Sequence, residues 1–472
     1  MSPRSVLQKL SIAFLASLSI QCSDAPPSVS LDPARPPVVL VTLDTTRRDH
    51  LGCYGYGRET SPHFDRLCRE AVRYEAAYST TSWTLPAHAS LFTGQYTYSH
   101  GARYDADGPL VLGSVIDHPA AHRYRARGLA DETPTLASRL ADAGYATAGF
   151  VAGPWMTRVF GLDGGFQQWD DSGIDQENGR RADALTDAAL AWLREHTAEP
   201  FFLFLNYYDA HSPYSPPEGW RDRFLDPGAA GGPSPEPGET LTLEEARAFY
   251  DAEIAFADHH LGRLLDALRE WGVYDAAWII VTADHGDILG EHGTLGHGRY
   301  LWEEEIRIPL IIKPPGGAVG VEAAPIQLND IAPMLLTALG LPALPGAGGP
   351  YTRGDDAVLA ELYPLPMMFV KGDWRAFVVG DYKLMWNSLG QHKLHRLSAE
   401  AGEDFNRKGF EVARSEDLMQ RLTETVERLP VPEAHSVDAV TEVDDATQRA
   451  LEGLGYLVRP AEELPDDDEQ AR

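Results

Sequence analysis

Three nearly continuous apolar runs, each followed closely by an aspartate, constrain the fold of this chain most strongly. The runs span residues 37–43, 201–205 and 276–282, and the aspartates that follow them are Asp44, Asp209 and Asp284. Apolar runs without polar alternation predict strands that are buried on both faces of a parallel sheet. The carboxyl ends of such strands meet at one edge, where ligands of open α/β folds bind. Because an unpaired charge is costly at a buried strand end, three aspartates at this edge indicate a shared cation.

Helical patterns alternate with these apolar runs. Helices are predicted at residues 64–74, 135–143, 182–196 and 243–271, and further strands at residues 145–151 and 308–312. The two longest helical segments carry apolar stripes at helical spacing. Alternating strands and helices with short connections predict a doubly wound α/β domain over residues 36–342, with a mostly parallel sheet and helices on both faces.

A small C-terminal α+β subdomain is predicted at residues 357–431, after a glycine- and proline-rich linker at residues 343–356. Its antiparallel strands are predicted at residues 374–380 and 382–385, and its helix at residues 415–429. Residues 460–472 are acidic and poor in apolar side chains, which predicts a solvated tail.

The N-terminus has the pattern of an export signal, followed by a linker at residues 25–35. Arg4 and Lys9 precede an apolar run at residues 10–20, which is too short to span a bilayer. Residues 1–24 are therefore predicted to direct export to the periplasm or the outer surface, and Cys22 is a candidate site of lipid attachment to a membrane. An N-terminal helix of the mature fold is the alternative, which the proline-rich residues 25–37 disfavour.

Charge and cysteine content limit the function classes. The chain has 472 residues and a formal net charge of −30, which argues against nucleic acid or anionic lipid headgroups as partners. A bound metal can still make one pocket attractive to an anionic substrate. Cys53 and Cys68 are too few for a disulfide framework and are interpreted as small packed residues. No sequence feature indicates a protein partner.

The segment from Thr81 to Gly94 is the candidate reaction centre. Leu85-Pro86 disfavours helix at the residue before the proline, so Thr84 is predicted at a loop-to-helix junction. Free backbone N–H groups and the helix dipole favour an anion at such a junction. His88 lies one turn further on and is predicted to reach the same anion. The alternative interpretation is an ordinary helix start, with Thr84 as its N-cap and His88 on the surface.

The strand-end aspartates, the Thr84 hydroxyl and one imidazole together predict a metal site. The predicted metal ligands are Asp44, Thr84, Asp284 and His285. A mixed oxygen and nitrogen site suits one zinc or manganese ion better than calcium, which prefers oxygen alone. A metal would lower the pKa of the Thr84 hydroxyl and prepare it for nucleophilic attack. The histidines predicted to contact the non-bridging oxygens of a tetrahedral anion are His88, His211 and His297; His211 and His297 are also candidate proton donors.

These residues occur in a characteristic order along the chain. The order is Asp44, Thr84-Leu-Pro-Ala-His88, Thr93-Gly94, Asp209-Ala-His211, Asp284-His285-Gly286, His292 and His297. Over roughly residues 36–400 it resembles the sulfatase branch of the alkaline phosphatase superfamily. The resemblance implies a metal-bound hydroxyl nucleophile that attacks a sulfate, phosphate or phosphonate ester through a covalent intermediate.

The sequence departs from true sulfatases at several matching positions. Thr84 replaces the cysteine or serine that becomes formylglycine, and His88 and His297 replace an arginine and a lysine. Asp44-Thr45 lacks the second aspartate of the family pair, His285 replaces an asparagine, and the Gly-Lys-Trp-His segment is absent. These changes resemble the threonine-nucleophile phosphodiesterases and the phosphoglycerol and phosphoethanolamine transferases.

We therefore expect a metal-dependent hydrolase or transferase of phosphate-type esters. The alternatives are a sulfatase that acts without formylglycine and an inactive lipoprotein that binds an anionic glycan. Asp209, His211 and His297 occur in the order of a second metal site. Because alternate residues of extended chain point to opposite sides, shared ligation by Asp209 and His211 is awkward, and one metal is favoured.

Overall fold

The computed structural model describes residues 31–112, 125–174, 179–226, 241–364, 370–398, 403, 406–431 and 441–453. The predicted export signal, Cys22, most of the 25–35 linker and the acidic tail lie outside these residues. No helix in the described ranges is both long enough and apolar enough to cross a membrane.

The described residues form twenty strands and eleven α-helices. The strands are β1 Val38–Leu43, β2 Val72–Tyr74, β3 Ala77–Tyr78, β4 Arg103–Tyr104, β5 Leu110–Val111, β6 Arg125–Arg127, β7 Ala146–Phe150, β8 Gln168–Asp170, β9 Phe201–Tyr207, β10 Trp278–Thr282, β11 Ile288–Leu289, β12 Leu295–Gly296, β13 Leu310–Lys313, β14 Gly320–Glu322, β15 Ile326–Gln327, β16 Ala357–Leu362, β17 Trp374–Val379, β18 Tyr382–Asn387, β19 His392–Arg396 and β20 Thr441–Glu442. The helices are α1 Pro62–Arg69, α2 Thr84–Thr93, α3 Thr97–His100, α4 Leu136–Asp142, α5 Ala182–His196, α6 Leu243–Glu270, α7 Glu303–Ile306, α8 Leu328–Ala338, α9 Pro350–Arg353, α10 Val412–Glu427 and α11 Asp445–Gly453.

An eight-stranded sheet in the order β14-β2-β13-β10-β1-β9-β7-β8 organises the molecule. Strand β1 lies between β9 and β10 and is parallel to both. The sheet is parallel throughout except for the pairs that β13 makes with β10 and β2. The predicted α/β class, with a mostly parallel central sheet, is confirmed.

The alternation of side chains along β1 explains why both faces of this sheet are covered. Val38 and Leu40 belong to one hydrophobic core, with helices α2, α4 and α8. Val39 and Val41 belong to the other core, with helices α1, α5 and α6. All four side chains are fully buried, and burial of each contributes about 1.5–3 kcal/mol relative to exposure.

The predicted helix at residues 64–74 is wrong in its second half. Helix α1 ends at Arg69, and Val72–Tyr74 forms β2, antiparallel to β13 through Val72–Ile312 and Arg73–Ile311 pairs. A short apolar run has no length signal that separates helix from strand, so pairing with a distant strand decides its conformation.

The C-terminal region contains a four-stranded antiparallel sheet, β16-β17-β18-β19, with α10 packed against it. Sequence reasoning missed β16. Residues 343–356, predicted to be a linker, include α9, and the Asp330 carboxylate accepts hydrogen bonds from the backbone N–H groups of Gly349 and Thr352, both at 2.8 Å. These bonds hold the segment against α8.

Candidate active site

Two adjacent parallel strands bring Asp44 and Asp284 together at the carboxyl edge of the sheet. Asp44 directly follows β1, and Asp284 lies two residues beyond the end of β10. One ligand atom from each aspartate and one from His285 all lie within 4.8 Å of one another, and all three residues are buried. This trio contains three of the four predicted metal ligands.

The two carboxylates each keep one oxygen without a hydrogen bond among the described residues. Asp44 Oδ2 accepts from Asn206 Nδ2 at 3.2 Å, while Asp44 Oδ1 has no partner in that set. Asp284 Oδ1 accepts from the backbone N–H groups of Thr45 and His285 at 3.2 and 2.8 Å. Asp284 Oδ2 has no hydrogen-bond partner among the described residues, and it lies 3.4 Å from His285 Nε2 and 3.7 Å from His88 Nδ1. Burial, together with the nearby Asp284 charge, raises the pKa of Asp44 well above its ordinary value. Two orphaned buried oxygens with mutual repulsion fit a site for a cation.

The backbone at Thr45 aims its N–H at this site. Thr45 has a φ of 53°, in the left-handed region that side chains with a branched Cβ rarely adopt. Its hydroxyl donates to the Ala210 carbonyl at 2.8 Å, and its carbonyl accepts from the Tyr250 hydroxyl at 2.7 Å. These two bonds from other elements hold the strained turn after β1.

His285 has the tautomer that a metal ligand needs. Its Nδ1 donates to the Gly286 carbonyl at 2.9 Å, which leaves Nε2 with a lone pair directed toward the site. Nε2 lies 3.4 Å from Asp284 Oδ2. Burial lowers the pKa of His285 to about 4, so the ring is neutral at neutral pH. Gly286 permits this loop, because a Cβ there would lie 2.0 Å from the Glu304 carbonyl oxygen.

Thr84 is the first residue of α2 and is fully buried beside the trio. Its Oγ1 lies 3.5 Å from His285 Nε2. Trp83, with extended backbone, is the N-cap and provides no side-chain capping bond. The loop-to-helix junction predicted for Thr84 is therefore present, and the helix begins at Thr84 itself rather than after the proline.

His88 is fully buried, and both of its ring nitrogens are engaged by the protein. Its Nδ1 lies 2.9 Å from the Thr84 carbonyl oxygen, and its Nε2 lies 3.0 Å from Thr42 Oγ1. Burial lowers the pKa of His88, so the ring is neutral and Nδ1 donates to the Thr84 carbonyl. These contacts differ from the sequence expectation of an imidazole directed at the substrate. They suit a residue that holds the first turn of α2 in place.

His211 and His297 lie over the same site. The His297 ring is 4.5 Å from the His285 ring and 4.9 Å from the His211 ring, centroid to centroid. His211 stacks on Tyr208 at 4.3 Å. Burial, with the nearby His297 as a second cause, lowers the pKa of His211 well below its ordinary value. The structure therefore brings every predicted site residue into one neighbourhood.

Asp287 is a site residue that sequence reasoning missed. Its Oδ1 lies 3.3 Å from His297 Nδ1, and its Oδ2 accepts from the Tyr214 hydroxyl at 2.5 Å. Asp287 is fully buried. No local sequence pattern predicts that Asp287 pairs with Tyr214 and His297, because these two residues lie on different loops. Asn206 was missed as well, although an amide inside the apolar run of β9 is a signal that could have been used.

Asp209 lies apart from the trio. Its Oδ1 accepts from the Ala182 backbone N–H at 3.1 Å, at the start of α5, and burial raises the pKa of Asp209 to about 7. In the described part of the chain, Asp209, His211 and His297 do not form a group of ligand atoms within 4.8 Å. Asp209 also contributes no atom to the group formed by Asp44, Asp284 and His285, so the third strand-end aspartate does not join the other two in the described part of the chain.

A separate mixed cluster contains His292, Glu304 and Glu403, whose ligand atoms also lie within 4.8 Å. Lys383 Nζ lies 2.8 Å from Glu403 Oε1 and 3.1 Å from Glu303 Oε1. The ammonium group already balances carboxylate charge there, so a cation would have to compete with it. The Asp44 site has no such lysine contact among the described residues.

Comparisons with known proteins give the family and the fold of this chain. A family model described as Sulfatase matches residues 36–341. The chain is 29% identical over 384 residues to the multifunctional alkaline phosphatase superfamily protein PehA of Trinickia caryophylli, covering 64% of this chain and 73% of that protein. It is 25% identical over 365 residues to an arylsulfatase of Clostridium perfringens, covering 64% and 74%. The fold matches a phosphonate monoester hydrolase of Agrobacterium radiobacter with a TM-score of 0.67 and 21% identity, over 84% of this chain and 96% of that one.

Proposed function

Since this chain belongs to the sulfatase family of ester hydrolases, we propose that it cleaves phosphate-type esters with Thr84 as the nucleophile. The observation that carries this proposal is the Thr84 hydroxyl at a helix N-terminus, beside two buried carboxylates with orphaned oxygens. Two relatives, named as an arylsulfatase and as a multifunctional alkaline phosphatase superfamily protein, support an anionic ester as the substrate class.

Asp44, Asp284, His285 and Thr84 would hold one divalent cation, with zinc or manganese as our expectation for this donor set. When bound, the metal would offset the charge of the ester and lower the pKa of the Thr84 hydroxyl. The neutral His285 and the orphaned carboxylate oxygens are the features of this chain that fit such an ion.

The reaction proceeds by in-line attack of Thr84 Oγ1 on phosphorus. The Thr84 hydroxyl loses its proton as the new bond joins Oγ1 to phosphorus, the bond to the leaving alcohol breaks, and a proton passes to the departing oxygen. Water or an acceptor alcohol then attacks phosphothreonine and loses its own proton, and the Thr84 oxygen leaves phosphorus and takes up a proton. Positioning and charge stabilisation account for most of the catalysis of phosphoryl transfer.

His211 and His297 contact the non-bridging oxygens of the transferring group and donate the proton to the leaving oxygen. His297 is oriented by Asp287, whose carboxylate is held in turn by the Tyr214 hydroxyl. This chain of contacts resembles the way an acidic group sets the orientation of a catalytic imidazole. His88 holds the carbonyl of Thr84 and fixes the direction of the nucleophile.

Phosphate-type esters are expected to be better substrates than sulfates. Thr84 cannot become an aldehyde hydrate that expels sulfate by elimination, so a threonine sulfate would have to be cleaved by water. An aryl phosphate monoester or diester should therefore exceed the matched aryl sulfate in kcat/KM by at least about tenfold, or about 1.4 kcal/mol of transition-state discrimination. A substrate panel with defined metals measures this ratio.

The same panel separates the alternative functions. Faster turnover of the sulfate, with mass spectrometry showing unmodified Thr84, would replace the phosphate assignment by a sulfatase that lacks formylglycine. Failure to turn over any ester, together with tight binding of a sulfated glycan, would support a binding protein instead.

We also propose that residues 1–24 direct export and that Cys22 is lipidated. Cell fractionation tests the export, and mass spectrometry of the purified N-terminus tests the lipidation.

Asp287→Asn is expected to lower kcat about 10- to 100-fold with little change in KM. The substitution keeps the volume of the side chain but removes the charge that orients the His297 ring. Steady-state kinetics and thermal unfolding of the purified variant measure the effect. Tyr214→Phe, which removes only the hydroxyl that donates to Asp287, should reduce kcat by a smaller factor. Asp275→Asn, at an exposed position, should leave kcat and KM unchanged. Unchanged kcat in Asp287→Asn would remove Asp287 from the mechanism.

A further inference from the structure

The turn Gly52–Tyr54 packs closely on α1, which lies on the face of the sheet opposite α2. The Cys53 backbone N–H donates to Asp65 Oδ1 at 2.8 Å. A Cβ on Gly52 would lie 2.1 Å from Asp65 Oδ2, so glycine allows this close approach. The turn is therefore held against the helix face that carries Asp65.

Cys68 lies on that same face of α1, three residues after Asp65. Cys53 and Cys68 line one surface cavity together with Asp65. Both side chains are half-buried free cysteines, and they are the two cysteines of the described residues. A disulfide needs Cα atoms within about 7 Å of each other, and a shared cavity wall on well-supported backbone favours that approach.

The environment of the pair favours thiol chemistry. Both cysteines line an open surface cavity of about 390 Å³, together with Asp65, Arg69 and Arg73. The Arg73 guanidinium donates to the Cys53 carbonyl. The Arg73 charge acts on both thiols in the direction of the thiolate, which is the form that attacks a disulfide.

We propose that Cys53 and Cys68 form an intramolecular disulfide, with a disulfide compound or a protein disulfide as the oxidant. One of the two cysteines, as its thiolate, attacks one sulfur of the oxidant and displaces the other sulfur of the oxidant as a thiolate. The thiol of the second cysteine then loses its proton and attacks the Sγ of the first, which releases the remaining sulfur of the oxidant as a thiolate. The two cysteines lose two protons and two electrons in total, and the oxidant is reduced to two thiols. This inference is independent of the proposed function.

The bond would close a loop of about 15 residues and restrict the unfolded chain. It would join the turn that follows the Asp44 loop to helix α1, on the face of the sheet opposite α2. A cross-link there stabilises the fold without entering the reaction centre.

Thiol counting and peptide mapping of the full-length chain test the proposal. Reduced protein, freed of reductant, is incubated with oxidised glutathione and then denatured under alkylating conditions. The expected result is loss of two titratable thiols and a peptide pair joined through Cys53 and Cys68 that separates on reduction. The melting temperature should rise by a few degrees after oxidation and fall again with reductant.

The single variants Cys53→Ser and Cys68→Ser provide the matched controls, because each removes one partner but keeps the size of the side chain. Neither should lose two thiols together or gain melting temperature on oxidation. Retention of both free thiols in the folded wild-type protein, or stable glutathione adducts at either cysteine without closure, would overturn the proposal. Linkage of either cysteine to Cys22 or to a second chain would overturn it as well.

Discussion

Thr84→Ala is expected to reduce turnover by at least about 10⁴-fold, because the variant has no hydroxyl to form the covalent intermediate. The fold should survive, since the side chain of Thr84 makes one hydrogen-bond contact among the described residues, at 3.5 Å to His285. Pre-steady-state and steady-state assays with an aryl phosphate ester measure the loss, and circular dichroism with thermal unfolding measures the fold.

Two further threonine variants make this experiment specific. Thr84→Ser keeps a hydroxyl in the same place and should retain a large part of the activity. Thr93→Ala changes a buried threonine at the other end of α2, whose hydroxyl donates to the Ala89 carbonyl at 2.7 Å, and should remain active. A folded Thr84→Ala protein with wild-type turnover would contradict the mechanism, whichever ester is the substrate.

Asp284→Asn is expected to abolish metal retention and to lower activity at least about 10²-fold. An amide at this position keeps one oxygen that accepts from the backbone but replaces the charge that faces Asp44. Ligand loss of this kind typically removes most of the affinity of a metal site, and activity follows. Elemental analysis and turnover before and after dialysis against a chelator measure both quantities.

Asp209→Asn is the matched control, because Asp209 occupies the same edge of the sheet but accepts from the start of α5. It should retain one equivalent of metal, as the wild-type protein should. Two tightly held ions per wild-type chain, one of which is lost in Asp209→Asn or in a His211 variant, would contradict the single-metal proposal. Full metal content in Asp284→Asn would show that the metal is not bound by Asp44 and Asp284.

The mostly parallel sheet and the edge at which the site lies could be predicted from residues alone. Uniformly apolar runs such as Val38–Leu43 encode strands buried on both faces, and an aspartate after each run marks the carboxyl end. A helix start near Thr84 was predictable because of the proline, but the helix begins at Thr84 and includes Leu85 and Pro86, since proline is tolerated in the first turn of a helix. These features depend on near neighbours in the sequence, so the pattern is enough.

What only the tertiary structure decided is how those local elements meet. Asp209 follows a strand just as Asp44 does, yet its partner is the backbone at Ala182, and it lies outside the trio. Both nitrogens of His88 contact the protein, and Asp287 pairs with His297 and Tyr214 through loops that fold together. The direction of a side chain at a loop or a strand end depends on which distant donor satisfies it on burial. Packing across the whole sheet determines which donor that is, and the sequence pattern near the residue does not predict it.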